Sequence, residues 1–295
     1  MNRSAPANGY NGHGPKRQYR RQVWNSFRDF IRLKTRLETR NAHALLMPSI
    51  EGDEIAIALS KGFCQENLHV VDRNPAIVAH LKRRFTAVNT YGVDLTQAAA
   101  RIAAKPHRIS VANLDLCGTF DTSSGVISAF LKSGCMSSEA RIAVTGLRGR
   151  ETTKTGVVRQ FLSTGIKSPP EGQVLKAPAT VGDIGRYWSL LIAITNGTNY
   201  TGRVVAANTY KSNAGSQTML WFLFDLLSLD VLCQKVKTIC ESNFTQEERI
   251  TALTQFGISF VNGKLAHGFQ GITHDPNWRD LEIAHRIRRA AGELA

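Results

Sequence analysis

Between residues 43 and 147 the chain alternates short strand-like runs with helical stretches, and this alternation limits its fold more than any other feature. "HALLM" (43–47), "LHVVD" (68–72), "VNTYGV" (88–93), "RISVANLDL" (108–116) and "ARIAVTGL" (140–147) read as strands. "EGDEIAIALSKG" (51–62), "NPAIVAHLKRRF" (74–85), "LTQAAARIA" and "SGVISAFLKSG" read as helices between them. The 74–85 helix carries its own start signal, Asn74 as N-cap and Pro75 at the first helical position. A parallel neighbour strand is reached only through a crossover, so such a chain builds βαβ units and covers both faces of a parallel sheet. Two more strand-like runs follow, "TGRVVAANTYK" (201–211) and "TMLWFLFDLL" (218–227), joined only by "SNAGSQ". That link is too short for a crossover, so these two pair antiparallel. The expected fold class is α/β, with five parallel strands plus a C-terminal antiparallel hairpin.

The flanks differ in texture. Residues 1–22 are rich in Gly, Asn and Pro and then basic, which reads as a disordered arm; Trp24 to about Thr39 has helical periodicity. Residues 148–180 are polar and basic with a helical piece near "GVVRQFLSTG", and "VGDIGRYWSLLIAIT" (181–195) reads as a helix. The last part reads as a helical appendage, with helices in "TQEERITALTQF" and "DPNWRDLEIAHRIRRAAGEL". Three units result: a basic arm and helix at 1–41, a main domain at 42–228 and the appendage at 229–295. No apolar run approaches the roughly 18 residues a membrane span needs. Five scattered cysteines without a CxxC pair indicate reduced thiols and a cytoplasmic setting. The eight histidines are dispersed, and no zinc-type spacing occurs, so no metal is expected.

Charge is unevenly placed. Of a net +14, residues 1–40 hold +8 and residues 139–211 hold +6. A concentrated positive field attracts polyanions, which makes a nucleic acid the expected partner. The candidate contacts are Arg17, Arg20 and Arg21 in the arm, with Arg148, Arg150, Lys154, Arg159 and Arg186 beyond the fifth strand. Tyr187, Trp188 and Tyr200 are available to stack on an unstacked base, or to fill a core.

The fourth strand ends unusually, on "ANLDLCG" (112–118). Asn113 and Asp115 alternate with Leu114 and Leu116, so both point to one face, and ligands of open α/β sheets collect beyond the strand carboxyl ends. They read as a site or as a plain strand-end turn. Cys117 reads either as a small buried hydrophobe or as a nucleophile. Asp72 ends the second strand about 20 residues after the first turn, where an acid accepts ribose hydroxyls, or else it caps the next helix. Asp94 reads as a site acid or as an ordinary turn aspartate. The first turn, "MPSIEGDE", rules out a dinucleotide site: it lacks G-x-G-x-x-G, and Glu51, Asp53 and Glu54 would repel a pyrophosphate.

The order of elements over about residues 42–228 resembles the class I S-adenosylmethionine-dependent methyltransferase family. "HVVDRNPAIVAHLKRRF" resembles the second strand and helix of that family, "TYGVDLTQA" its third strand and "ISVANLDLCG" its fourth. The resemblance implies a Rossmann-like methyltransferase sheet and S-adenosylmethionine as cofactor. It implies cofactor contacts from Met47, Pro48, Ser49, Glu51, Gly52, Asp72, Arg73, Asp94 and Leu95, with Asp115, Asn113 and Cys117 as catalytic candidates. The first loop departs from the family's ExGxGxG pattern, having Gly52 alone. "DLCG" keeps the Asp of the amino-methylating motif without its prolines and aromatic residue. Two functions follow: a methyltransferase acting on RNA or DNA, or a chain that keeps the fold, has lost catalysis, and binds nucleic acid or serves in an assembly.

Overall fold

The computed structural model describes residues 14–35, 37–148, 181–195, 198–211, 217–254, 256, 258–261, 264–267, 286–287 and 289–290. Its centre is a seven-stranded sheet of order β3-β2-β1-β4-β5-β7-β6. The strands are β1 His43–Leu46, β2 Leu68–Val71, β3 Asn89–Tyr91, β4 Ile109–Thr119, β5 Met136–Leu147, β6 Tyr200–Lys211 and β7 Thr218–Ser228. The first five run parallel; β7 is antiparallel to both β5 and β6. This is the sheet the sequence predicts, five parallel strands closed by an antiparallel hairpin; strand order reverses at β1/β4, which opens a crevice at the carboxyl edge.

Both faces are covered. Helices α4 (Leu95–Ala103), α5 (Phe120–Lys132) and α6 (Val181–Thr195) pack on one, against Leu45, Ala112, Leu114, Ile142, Phe222 and Phe224. Helices α1 (Pro15–Phe30), α2 (Asp53–Ser60) and α3 (Pro75–Arg84) pack on the other, against Ala44, Leu46, Val70, Val111, Ala143 and Trp221. The Asn74 side chain caps α3 by accepting from the Ala76 backbone N–H, as its sequence indicates.

The amino-terminal segment is part of this core. The helix begins at Pro15, not near Trp24, and continues as a π-helical turn over Ile31–Thr35. Tyr19, Val23, Trp24, Phe27, Phe30 and Ile31 recur at helical spacing and are all buried. Losing a ring such as Phe27 from this seam would cost about 3–5 kcal/mol. Arg141 on β5 pins the helix end to the sheet. Its guanidinium pairs both Asp225 carboxylate oxygens on β7 (2.6 and 3.1 Å), donates to Ser26 Oγ and the Ser26 carbonyl (2.8 and 3.0 Å), and lies over Phe30.

The carboxyl-terminal part is not purely helical. After α7 (Leu229–Glu241) and α8 (Gln246–Thr254) comes a two-stranded antiparallel pair, β8 Ile258–Val261 with β9 Lys264–His267. The helical pieces expected near 156–165 and over most of 275–294 lie outside the described residues.

Candidate functional site

The polar end of β4 faces α1. Leu46 pairs Asn113 and Asp115 pairs Thr145 across adjacent strands, so these polar groups line the β1/β4/β5 end of the face that α1 and α2 cover. Tyr19 Oη donates to Asn113 Oδ1 (2.8 Å), and the Thr145 hydroxyl lies 2.6 Å from it. A phenol has one proton to give, so the Thr145 hydroxyl donates to it. Asn113 Nδ2 in turn donates to Glu54 Oε1 at 2.5 Å, and Trp24 Nε1 donates to the same oxygen at 3.1 Å. Arg20 Nε stands 3.6 Å from Glu54 Oε2 and its Nη2 stands 3.9 Å from Asp115 Oδ2, which Lys16 Nζ meets at 2.7 Å.

Tyr19, Arg20, Glu54, Asn113, Asp115 and Thr145 are all buried. Burial pushes the Glu54 carboxyl up, while Arg20 and the Asn113 hydrogen bond pull it back. Burial and the Asp115 charge push the Tyr19 phenol well up. Glu54 sits in the first turn of α2, where the helix dipole favours an acid. Asn113 and Asp115, the catalytic candidates, are thus brought together, but in contact with α1 side chains. The sequence reading missed Tyr19, Trp24 and Thr145 as their partners. The signal was present: Tyr19/Arg20, Val23/Trp24, Phe27 and Phe30/Ile31 recur every three to four residues, which places Arg20 on the apolar stripe.

The cofactor candidates gather where β1, β2 and β3 end. Gly52 closes a turn onto the Ser49 carbonyl (2.9 Å) with φ +66°. A Cβ there would lie 2.6 Å from Phe85 Cε2. Its lack of a side chain therefore admits the Phe85 ring at the α3 end. The Arg84 guanidinium donates to the Glu51 carbonyl. Met47 and Ser49 are half-buried, Pro48 is buried, and Arg73 is exposed. Leu95, the first residue of α4, is buried in the core.

Asp72 Oδ1 accepts from the Asn74 backbone N–H (2.7 Å), leaving the half-buried carboxylate a second oxygen. Asp94 caps α4, accepting from Gln97 N (2.9 Å) and Thr96 Oγ1 (2.6 Å), and these bonds hold its carboxyl below the usual range. Ser49 Oγ and Glu51 Oε2 are buried without a hydrogen-bond partner among the described residues. Buried polar atoms normally find partners, so two orphans on one loop mark a place for a polar ligand. The rim thus fits the polar parts of S-adenosylmethionine, its ammonium and its ribose.

The basic candidates divide. Arg17 and Arg21 are exposed on α1, and Arg148 is half-buried just past β5. Arg20 and Arg186 are buried, which removes both from a surface that could grip phosphates. Arg150, Lys154, Arg159 and the Cys117 side chain lie outside the described residues. No helix of the described residues is long and apolar enough to cross a membrane.

At the opposite, amino-terminal edge, three histidines converge that the sequence reading had left dispersed. His43 opens β1, His69 lies on β2 and His107 precedes β4, on neighbouring strands. His43 Nδ1 stands 3.1 Å from His69 Nε2, and the His43 and His107 rings stack at 3.9 Å with 3° between planes. Burial lowers His43 to about 4 and His69 to about 3, with neighbouring imidazoles and Lys105 adding to the effect.

No family model matches the chain, and no curated protein matches it in sequence. Solved structures with a similar fold include an O-methyltransferase from Bacillus cereus in complex with SAH (7% identity, 74% of this chain and 86% of that one, TM-score 0.45). Another is the N-methyltransferase NodS from Bradyrhizobium japonicum, also with SAH (9%, 75% and 89%, TM-score 0.40). A third is Trm5b from Pyrococcus abyssi (12%, 71% and 48%, TM-score 0.42). Likeness at this level does not reach substrate or activity.

Proposed function

We propose that this chain is an S-adenosylmethionine-dependent methyltransferase that acts on a nucleic acid. One observation carries the reading: the ends of β1 and β2 bring Ser49, Glu51 and Asp72 to one edge of a methyltransferase-type sheet, with Ser49 Oγ and Glu51 Oε2 buried and unpartnered. S-adenosylmethionine, when bound, supplies an electrophilic methyl group on a sulfonium sulfur. Asp72 would accept from ribose hydroxyls with its free oxygen, and Glu51 would face the ammonium or sulfonium charge. Ser49 Oγ would donate to the carboxylate of the methionine end. Arg17, Arg21 and Arg148 would hold phosphates of the acceptor, which fixes its register without reading sequence. Positioning of the acceptor then supplies most of the rate.

A second reading is favoured by the α1 contacts. Lys16 and Arg20 face Asp115, and Tyr19 occupies Asn113, so the groups expected to orient an acceptor amine already have partners. On that reading the chain keeps the sheet as a scaffold for binding nucleic acid.

Calorimetry of the full chain with S-adenosylmethionine separates the two. Micromolar binding that is lost in Asp72→Ala supports the enzyme; absence of binding at millimolar cofactor, alongside salt-sensitive RNA or DNA binding, supports the scaffold. The nucleic-acid part is tested by Arg17→Ala/Arg21→Ala. These exposed changes leave the core intact, and each phosphate contact removed should lower the slope of log affinity against log salt by about one unit. An unchanged slope refutes their role.

A further inference from the structure

We infer that His43, His69 and His107 form a metal-ion site at the amino-terminal edge of the sheet, taking a divalent borderline ion of the zinc type. One ring nitrogen from each histidine can be chosen so that all three lie within 4.8 Å of one another. Two imidazole nitrogens bound at about 2.0–2.1 Å to a tetrahedral ion stand roughly 3.3 Å apart. His43 Nδ1 and His69 Nε2 already stand at 3.1 Å. The His107 ring stacks on His43 at 3.9 Å, so a turn of one of these two side chains aims a third nitrogen at the same ion.

Two further observations point to a ligand. His107 Nε2 is buried and makes no hydrogen bond among the described residues, an uncompensated acceptor or donor beside two other imidazoles. His69 Nδ1 meets the buried Tyr91 hydroxyl at 3.1 Å on its far side. A metal-bound histidine regularly uses its second nitrogen in this way, and the bond fixes the ring so that Nε2 faces inward. Without an ion, Nε2 and His43 Nδ1 share a single proton, and His107 is left outside that arrangement.

The donor set is all nitrogen, with no carboxylate in the cluster. Three imidazoles and a water suit zinc or cobalt and do not suit magnesium or calcium. Lys105, its ammonium over the Tyr91 ring at 5.4 Å, and Arg108 beside His107 are nearby cations, and both weaken the site for any dication. The site lies across β2, β1 and β4, so an ion there ties three adjacent strands at the edge away from the crevice. Its role is to stabilise the sheet, and it stands whether or not the chain transfers methyl groups.

The test is metal binding by the full, untagged chain after chelator treatment, with zinc by calorimetry and cobalt by visible absorption. One ion per chain is expected, with the intense d–d bands of a four-coordinate cobalt site and a higher unfolding midpoint. His107→Ala, at the half-buried position, should abolish the cobalt bands while the far-ultraviolet dichroism stays unchanged. Tyr91→Phe keeps the ring and removes the hydroxyl, and should weaken zinc about ten- to hundredfold. No stoichiometric binding by the wild-type chain overturns the proposal. So does zinc binding that His107→Ala and Tyr91→Phe both leave unchanged, since the ion would then be held elsewhere.

Discussion

Arg20→Met is the sharpest probe of the buried network that ties α1 to the sheet. Methionine keeps a long unbranched stem at this buried position of α1 but removes the cation. At an effective dielectric of about 20, a unit charge pair at 3.6 Å is worth roughly 4–5 kcal/mol, and one at 3.9 Å roughly 4 kcal/mol. Desolvation of the guanidinium offsets much of that sum in the intact protein. The variant still leaves Glu54 buried with its charge unmatched, while Asp115 keeps Lys16 at 2.7 Å. Breaking a buried pair in this one-sided way costs about 3–5 kcal/mol near neutral pH.

The pH dependence follows from the same group. The folded pKa of Glu54 is raised above the unfolded value, mainly by burial, so the folded chain binds more protons than the unfolded one between those two values. This group's contribution therefore makes stability fall as pH rises through that window. Without Arg20 the folded value climbs further and the window widens upward. The loss in Arg20→Met should be largest at neutral pH and smaller at acidic pH, where the carboxyl takes up its proton. Urea unfolding followed by tryptophan fluorescence at the two pH values measures both effects. A variant as stable as the wild type at neutral pH, or a deficit independent of pH, would show that Arg20 does not neutralise Glu54.

Two other outcomes are expected of the same fold. Tyr19→Phe keeps the stacking on Tyr210 and Trp221 but strands Asn113 Oδ1 and the Thr145 hydroxyl, and urea denaturation should register a loss of about 1–3 kcal/mol. Gly52→Ala forces a left-handed backbone on a residue with a Cβ and drives that atom into Phe85, for a loss of about 2–4 kcal/mol; a double-mutant cycle with Phe85→Leu should recover part of it, and strict additivity would refute the contact.

The strand–helix alternation, the Asn74–Pro75 helix start and the closing antiparallel pair were legible because each depends on local pattern and turn length. The helix boundary at Pro15 was not, because its first turn holds only Pro, Lys, Arg and Gln after a Gly- and Asn-rich run, and it is the sheet beneath that holds Tyr19 and Arg20 in helical register. The β8–β9 pair was overlooked although "ISFVNGKLAH" carries an Asn-Gly pair between apolar runs, a hairpin signal. Asn113 and Asp115 were rightly singled out as residues on one face. That they meet Tyr19, Lys16 and Arg20 depends on contacts far apart in the chain, which no local spacing encodes. The histidine trio was invisible for the same reason: its members join only once β1, β2 and β4 lie abreast.

Tyr19 reaches partners 94 and 126 residues further along the chain. During synthesis the first helix therefore leaves the ribosome long before its seat exists, and it waits as a basic, aromatic-striped segment until the fifth strand has emerged. A helix made well before its partners is thus buried late, and for that interval it is open to capture by a chaperone or a passing polyanion.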